Sequence, residues 1–132
     1  MTAVIRLVLV DDHVAFRQSL ALILIREPDL VVLAQAGSVI EAHEMLARVR
    51  DVGVALIDLQ LPDGDGVEVI RAIGIMHPQT RILALTAVID PVHHARATDA
   101  GAAAIISKAA QPAEIIACIR QGSADCLVES AH

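Results

Sequence analysis

Five short apolar runs alternate with five amphipathic stretches along the chain, and this alternation sets the fold class before any side-chain chemistry is considered. Ile5 to Val10 is apolar apart from Arg6, short and rich in branched residues, as expected of a strand covered on both faces. Phe16, Leu20, Ile23 and Leu24 follow at i, i+4, i+7 and i+8, which predicts a helix closed by Pro28. Leu30 to Ala34 reads as a second strand. Ser38 and Glu41 form an S-x-x-E capping box for a second helix, whose inward stripe is Met45, Leu46 and Val49. Gly53 ends the turn before a third strand, Val54 to Ile57, which runs into Asp58.

The Pro and Gly punctuation of Leu61-Pro62-Asp63-Gly64-Asp65-Gly66 predicts a loop. A third helix starts near Gly66, buries Val69, Ile70 and Ile73, and stops before Pro78. Arg81 to Thr86 supplies a fourth strand; Asp90 as N-cap and Pro91 at the first helical position then open a fourth helix, with Gly101 just past its end. Ala103 to Ser107 is the fifth strand. Pro112 opens a last helix that turns Ile115, Ile116 and Ile119 inward, and Gly122 marks its stop. Five β-then-α units force parallel strands with right-handed crossovers, so the fold class is α/β: a doubly wound, open five-stranded parallel sheet between five helices. Residues 1–122 form one domain, and 123–132 read as a C-terminal tail or the start of a linker.

Composition narrows the function classes. At 132 residues a single core is expected. Apolar residues make up 55 % of the chain, yet no uncharged run approaches the roughly 18 residues that span a bilayer, so no membrane association is expected. The N-terminus moves directly into a strand and lacks the apolar core of a signal peptide, which predicts a cytoplasmic protein. Cys118 and Cys126 have no partners at metal-binding spacing and read as ordinary reduced thiols. A net charge of −6 argues against direct nucleic-acid binding by this chain.

Four of the apolar runs end on polar residues: Asp11 with Asp12, Asp58, Thr86 and Lys108. On neighbouring parallel strands, about 4.8 Å apart, these groups converge at the carboxyl edge where such sheets bind ligands. Three gathered carboxylates repel one another unless a cation neutralises them. Oxygen-only donors at an open edge favour Mg²⁺, or Mn²⁺ in its place. Asp12, Asp58 and the backbone carbonyl of Gln60 are the expected direct ligands, with Asp11 acting through water. Asp58 is the expected nucleophile for a phosphoryl group, whose oxygens Lys108 and the Thr86 hydroxyl would hold. Read singly, Asp11 and Asp12 could cap the first helix, Thr86 could end a strand, and Lys108 could be a solvated loop charge. His13 is not required by an oxygen-rich site, and His93 and His94 are expected on the exposed face of helix four. A phosphatase of this kind wants a second acid two residues after the nucleophile; that position is Gln60, so a turnover enzyme is not expected.

Val8-Leu9-Val10-Asp11-Asp12-His13, Asp58-Leu59-Gln60-Leu61-Pro62-Asp63-Gly64-Asp65-Gly66, Thr86-Ala87 and Lys108, in that order, resemble the receiver domain of two-component response regulators over residues 4 to 122. Asp11-Asp12-His13 and Lys108-Ala109-Ala110-Gln111-Pro112-Ala113-Glu114 are most similar to the NarL/LuxR subfamily. The resemblance implies a flavodoxin-like sheet of order 2-1-3-4-5. It also implies phosphorylation of Asp58 by a sensor histidine kinase or a phosphotransfer protein, Mg²⁺ on the acidic residues, and coupling through Thr86 and Lys108. Transcriptional output through a C-terminal helix-turn-helix, which these 132 residues do not contain, would follow. A single-domain relay and a phosphorylation-independent interaction module stay open, as does a homodimer through the outer faces of helices one and five. One departure stands out: the family's Tyr or Phe in strand five is Ile105 here. The chain has no Tyr or Trp, and its one Phe is Phe16 in helix one. Output is therefore expected through the Thr86 to Pro91 loop and helix four.

Overall fold

The computed structural model describes residues 3–121; Gly122 as a helix stop, the tail at 123–132 and Cys126 lie outside the described residues. The chain runs β1 (Ile5–Val10), α1 (Val14–Ile25), β2 (Leu30–Ala36), α2 (Val39–Leu46), β3 (Val54–Asp58), β4 (Gln60–Leu61), β5 (Gly64–Asp65), α3 (Gly66–Met76), β6 (Arg81–Thr86), α4 (Pro91–Ala100), β7 (Ala104–Ser107) and α5 (Pro112–Gln121). The central sheet has the order β2-β1-β3-β6-β7, and every pairing in it is parallel. With the short β4–β5 pair set aside, this is the predicted order 2-1-3-4-5.

Alternation along each strand divides the apolar residues between two cores. Val8, Val10, Ala55, Ile57, Ile82, Ala84 and Ile105 pack on the side of α2 and α3. Leu7, Leu9, Val54, Leu56, Leu83, Leu85 and Ile106 pack on the side of α1 and α5. Because β3 is covered on both faces, all five of its residues, Asp58 included, are buried. That is why the strands read as unbroken apolar runs rather than alternating ones. No helix among the described residues is long and apolar enough to cross a membrane.

Several helix starts follow the predicted chemistry. Ser38 Oγ accepts from Glu41 N–H at 3.1 Å, while the Glu41 carboxylate accepts from Gly37 N–H at 2.9 Å. Asp90 caps α4 by accepting from His93 N–H at 2.9 Å, and Gly101 closes that helix at φ 125°. An additional cap comes from a distance: Asp63 accepts from Val39 N–H and Ile40 N–H at 2.7 and 3.1 Å, tying the segment after Asp58 to the start of α2. Those two bonds hold the Asp63 carboxyl below its ordinary range.

The structure departs from the sequence reading in four local respects. The segment predicted as a loop contains a small antiparallel pair, Gln60 opposite Asp65 and Leu61 opposite Gly64, closed by Pro62 and Asp63. β2 runs on to Ala36, and β7 starts at Ala104. α2 ends at Leu46, so Val49 packs against the core from beyond the helix. Cys118 is disulfide-bonded rather than a reduced thiol; spacing arguments address cysteine frameworks and say nothing about a single bond.

Gly74 lies inside α3, and a Cβ added there would meet nothing within 4 Å. Gly74→Ala should therefore raise stability by about 0.5–1 kcal/mol through lower backbone entropy in the unfolded chain. Urea unfolding should show a higher midpoint at unchanged slope.

Candidate functional site

Register brings the strand ends to one edge. Val10 lies beside Ile57, Asp58 beside Leu85, and Thr86 beside Ser107. The ladder continues one step further, with Asp11 N–H donating to Ala36 O, Leu59 N–H to Leu85 O and Lys108 N–H to Thr86 O. Asp11, Asp58, Thr86 and Lys108 are thus fixed by backbone bonds before their side chains interact. Gly66 adds a packing constraint, since a Cβ there would lie 2.0 Å from the Asp58 carbonyl oxygen. Only glycine lets α3 start this close to the end of β3.

The centre of the cluster is the Lys108 ammonium. Its Nζ lies 2.9 Å from Asp58 Oδ2, 2.8 Å from Asp11 Oδ2 and 2.9 Å from His13 Nδ1. Asp58 Oδ1 accepts from Gln60 N–H at 3.0 Å, and Asp11 Oδ1 accepts from His13 N–H at 2.8 Å. Asp11 and Asp58 are each only 2 % exposed. Neither acid of the Asp11-Asp12 pair is the N-cap of α1; that position is His13, which makes no side-chain cap.

Burial pushes the Asp58 carboxyl above its ordinary range; Gln60 N–H and Lys108 oppose the shift, and the Asp11 charge adds to it. For Lys108 burial alone would lower the pKa, but the close contacts with Asp11 and Asp58 outweigh it and leave the value raised. The lysine is therefore a fixed cation across the physiological range.

The donor set fits a divalent cation. Ligand atoms of Asp11, Asp12, His13 and Asp58 all lie within 4.8 Å of one another. Asp12 Oδ1 is a buried atom without a hydrogen bond, and Asp11 Oδ2 has only the Lys108 ammonium, at 2.8 Å, as its partner. Buried, under-bonded carboxylate oxygens facing a common point are what a hard cation satisfies.

Thr86 stands at the same edge, 3 % exposed, with its hydroxyl engaged elsewhere. It donates to Val88 O at 2.8 Å and accepts from Val88 N–H at 3.2 Å. The Gln60 side chain is exposed, and its contribution is the backbone N–H on Asp58. Ile105 is buried in the core on the α2–α3 side.

Sequence reasoning missed four features. His13 contacts Lys108, and the Phe16 ring lies under the same ammonium, 5.0 Å from ring centroid to Nζ. Asp63 caps α2, and Asp65 pairs with Arg96 of α4. Phe16 offered a usable signal, being the one aromatic residue, in the turn after Asp11-Asp12. The Asp65–Arg96 pair joins residues 31 apart and left no trace in local spacing.

Residues 7–120 match the family model described as the response regulator receiver domain. The DNA-binding transcriptional activator DevR/DosR of Mycobacterium tuberculosis is 40 % identical over 82 residues, covering 62 % of this chain and 37 % of that protein. Transcriptional regulatory protein UhpA of Escherichia coli is 35 % identical over 116 residues, covering 87 % of this chain and 57 % of that protein. Among solved structures, a two-component response regulator of the LuxR family from Aurantimonas sp. SI85-9A1 superposes with a TM-score of 0.77 at 30 % identity, covering 89 % of this chain and 83 % of that one. The chain thus spans 37 % and 57 % of the length of these two curated relatives.

The opposing influences on Asp58 can be separated by titration. Lys108→Met should move the Asp58 carboxyl further up, and Asp11→Asn should bring it down, as followed by carbon NMR of the carboxyl without added metal. A carboxyl with a raised folded pKa contributes stability that is complete below its unfolded value, about pH 4, and is lost as pH rises through the folded value. The Lys108→Met protein should accordingly lose more stability than the wild type between acid and neutral pH.

Proposed function

The chain belongs to the response regulator receiver family, in its NarL/LuxR subfamily, and we propose that Asp58 is its phosphoacceptor, served by a sensor histidine kinase or a phosphotransfer protein. The observation that carries this reading is the ammonium of Lys108, 2.9 Å from a buried Asp58 carboxylate at the end of the central strand. A carboxylate oxygen of Asp58 attacks the donor's phosphorus; the new P–O bond forms an acyl phosphate as the bond to the donor's leaving group breaks. Gln60 N–H orients the carboxylate through its Oδ1. Lys108, whose three N–H donors face Asp58, Asp11 and His13, would redirect one of them to a phosphoryl oxygen.

Asp12, Asp58 and the backbone carbonyl of Gln60 would hold Mg²⁺, or Mn²⁺, with Asp11 acting through water. When bound, the ion neutralises charge that develops on the phosphoryl oxygens. The Oδ1 of Asp12, without a hydrogen bond and beside the buried carboxylates of Asp11 and Asp58, supports this assignment.

Thr86 would give up its bonds to Val88 to donate to the phosphoryl group, and the loop from Thr86 to Pro91 would follow. With Ile105 in place of a ring, that loop and α4 carry the signal. The Asp65–Arg96 pair, which connects the segment after Asp58 to α4, supports the route. The protein acts as a switch rather than a turnover enzyme, its chemistry being phosphorylation of its own Asp58, from small donors as well, and loss of that group. A cytoplasmic location fits the partner. Output is proposed to be transcription, through a DNA-binding domain outside these 132 residues, since a net charge of −6 disfavours nucleic-acid contact here. A homodimer would use the outer faces of α1 and α5, where Leu22 and Ile25 of α1 are exposed.

Incubation with acetyl phosphate and Mg²⁺ should add the mass of one phosphoryl group to the wild type and none to Asp58→Asn. An unchanged wild-type mass would favour a phosphorylation-independent interaction module. Mg²⁺ alone should stabilise the fold by about 2.7 kcal/mol at a hundredfold excess over its dissociation constant. Thermal unfolding should show that shift reduced in Asp12→Asn.

A further inference from the structure

Lys108 is the single lysine of the chain and Phe16 its single aromatic residue, and the two meet. The ring centroid lies 5.0 Å from Nζ, within the range of a cation–π attraction. The Lys108 side chain is 11 % exposed, so the attraction acts with little screening by water. We propose that Phe16 is a positioning residue for phosphoryl transfer, its ring face holding the Lys108 ammonium beside Asp58 when the carboxylates are shared with a divalent cation. The inference rests on the reading of Asp58 as phosphoacceptor and adds a residue to that site.

The reason lies in what else holds the ammonium. Two of its partners are Asp11 and Asp58, the same carboxylates that face the cation position. Once those oxygens serve a second positive charge, their pull on Lys108 weakens and the two cations repel. A neutral ring is not a ligand for a hard cation, so its attraction to the ammonium survives. Phe16 sits in the first turn of α1, directly after the Asp11-Asp12 segment, and packs against the α1–α5 core, which fixes its position relative to β1. Arg17, the next residue, ties that turn to the strand end by donating from Nη1 to Asp11 O at 2.7 Å.

Packing and ring chemistry separate in two variants of the full chain. Phe16→Leu keeps an apolar side chain and removes the ring face; Phe16→Tyr keeps the ring face at a half-buried site. The probe is beryllium trifluoride with saturating Mg²⁺. Phe16→Leu should bind it about threefold to tenfold more weakly than the wild type, with Phe16→Tyr close to wild type. Protein labelled at lysine carries one set of ε-methylene signals, which the ring should shift upfield, and Phe16→Leu should return them toward the free-lysine position. Equal binding by Phe16→Leu, or equal loss in both variants, overturns the ring's role while leaving the phosphoacceptor reading in place. Lysine signals that do not move in Phe16→Leu overturn the contact itself. A wild type that binds no beryllium trifluoride overturns the phosphoacceptor reading and the ring's function with it, and the lysine signals still report whether the contact exists.

Discussion

One ammonium group holds two buried carboxylates together at the edge of the sheet, and the rest of the site is arranged around that constraint. Asp11 and Asp58 are almost without solvent, and two like charges so close cannot both stay ionised without compensation. Lys108 supplies it, from the end of a third strand. A buried ion cluster of this kind is weak evidence for stability, because desolvation offsets much of the Coulombic gain. Its retention makes more sense as a charge pattern poised to accept further ions. The site is compensated by one fixed positive charge, and under the proposed function a cation and a phosphoryl group would be admitted by redistributing the partners of that charge.

Such a cluster needs a rigid frame, and the frame is the parallel sheet. β1, β3, β6 and β7 each contribute one corner, and the backbone ladder runs one residue past β1, β3 and β7, so Asp11, Leu59 and Lys108 are pinned by main-chain bonds. The apolar residues behind them leave no slack: Leu7, Leu56, Leu83 and Ile106 on one face and Val8, Ile57, Ala84 and Ile105 on the other are fully or nearly fully buried. A slip of one residue in any strand would turn its corner of the cluster to the opposite face of the sheet. Gly66 completes the frame by letting α3 start against the Asp58 carbonyl.

This division explains what could be read from the sequence. Strand and helix identity came through because the apolar runs are long and their spacing is unambiguous. The meeting of Asp11, Asp58 and Lys108, with Thr86 at the same edge, was legible because each ends a run, and a parallel sheet turns run ends into neighbours. The β4–β5 pair did not, since strands of two residues carry no periodicity, and Pro62 and the glycines look alike in a loop and in a tight hairpin. The Phe16 ring on Lys108 and the Asp65–Arg96 pair depend on how helices sit on the sheet, which spacing along one segment does not encode. The hydrogen bonds of Thr86 to Val88 depend on a hydroxyl rotamer.

The missing ring in strand five limits how a change at Asp58 can reach the surface. Ile105 is 4 % exposed and packed into the α2–α3 core, and it offers no ring to move between an inward and an outward position. The proposed mechanism places the movement in the segment after Thr86, where Val88 is exposed and held by the threonine hydroxyl. Releasing that hydroxyl forfeits about 0.5–1.5 kcal/mol per bond, a loss that water contacts at Val88 and a phosphoryl oxygen at Thr86 would offset. Moving a two-state element from 1:99 to 99:1 requires about 5.5 kcal/mol of differential interaction, more than one such hydrogen bond supplies. Under the proposed mechanism the free energy has to come from Lys108, Thr86 and the carboxylates acting together, and the route outward has to run through bonds that α4 already makes. Asp90 to His93 and Asp65 to Arg96 are those bonds, one at the start of the helix and one on its side toward the phosphoacceptor segment. A helix gripped at both places would follow the loop as a unit, and under the proposed mechanism that is what would couple the output to one carboxylate without an aromatic switch.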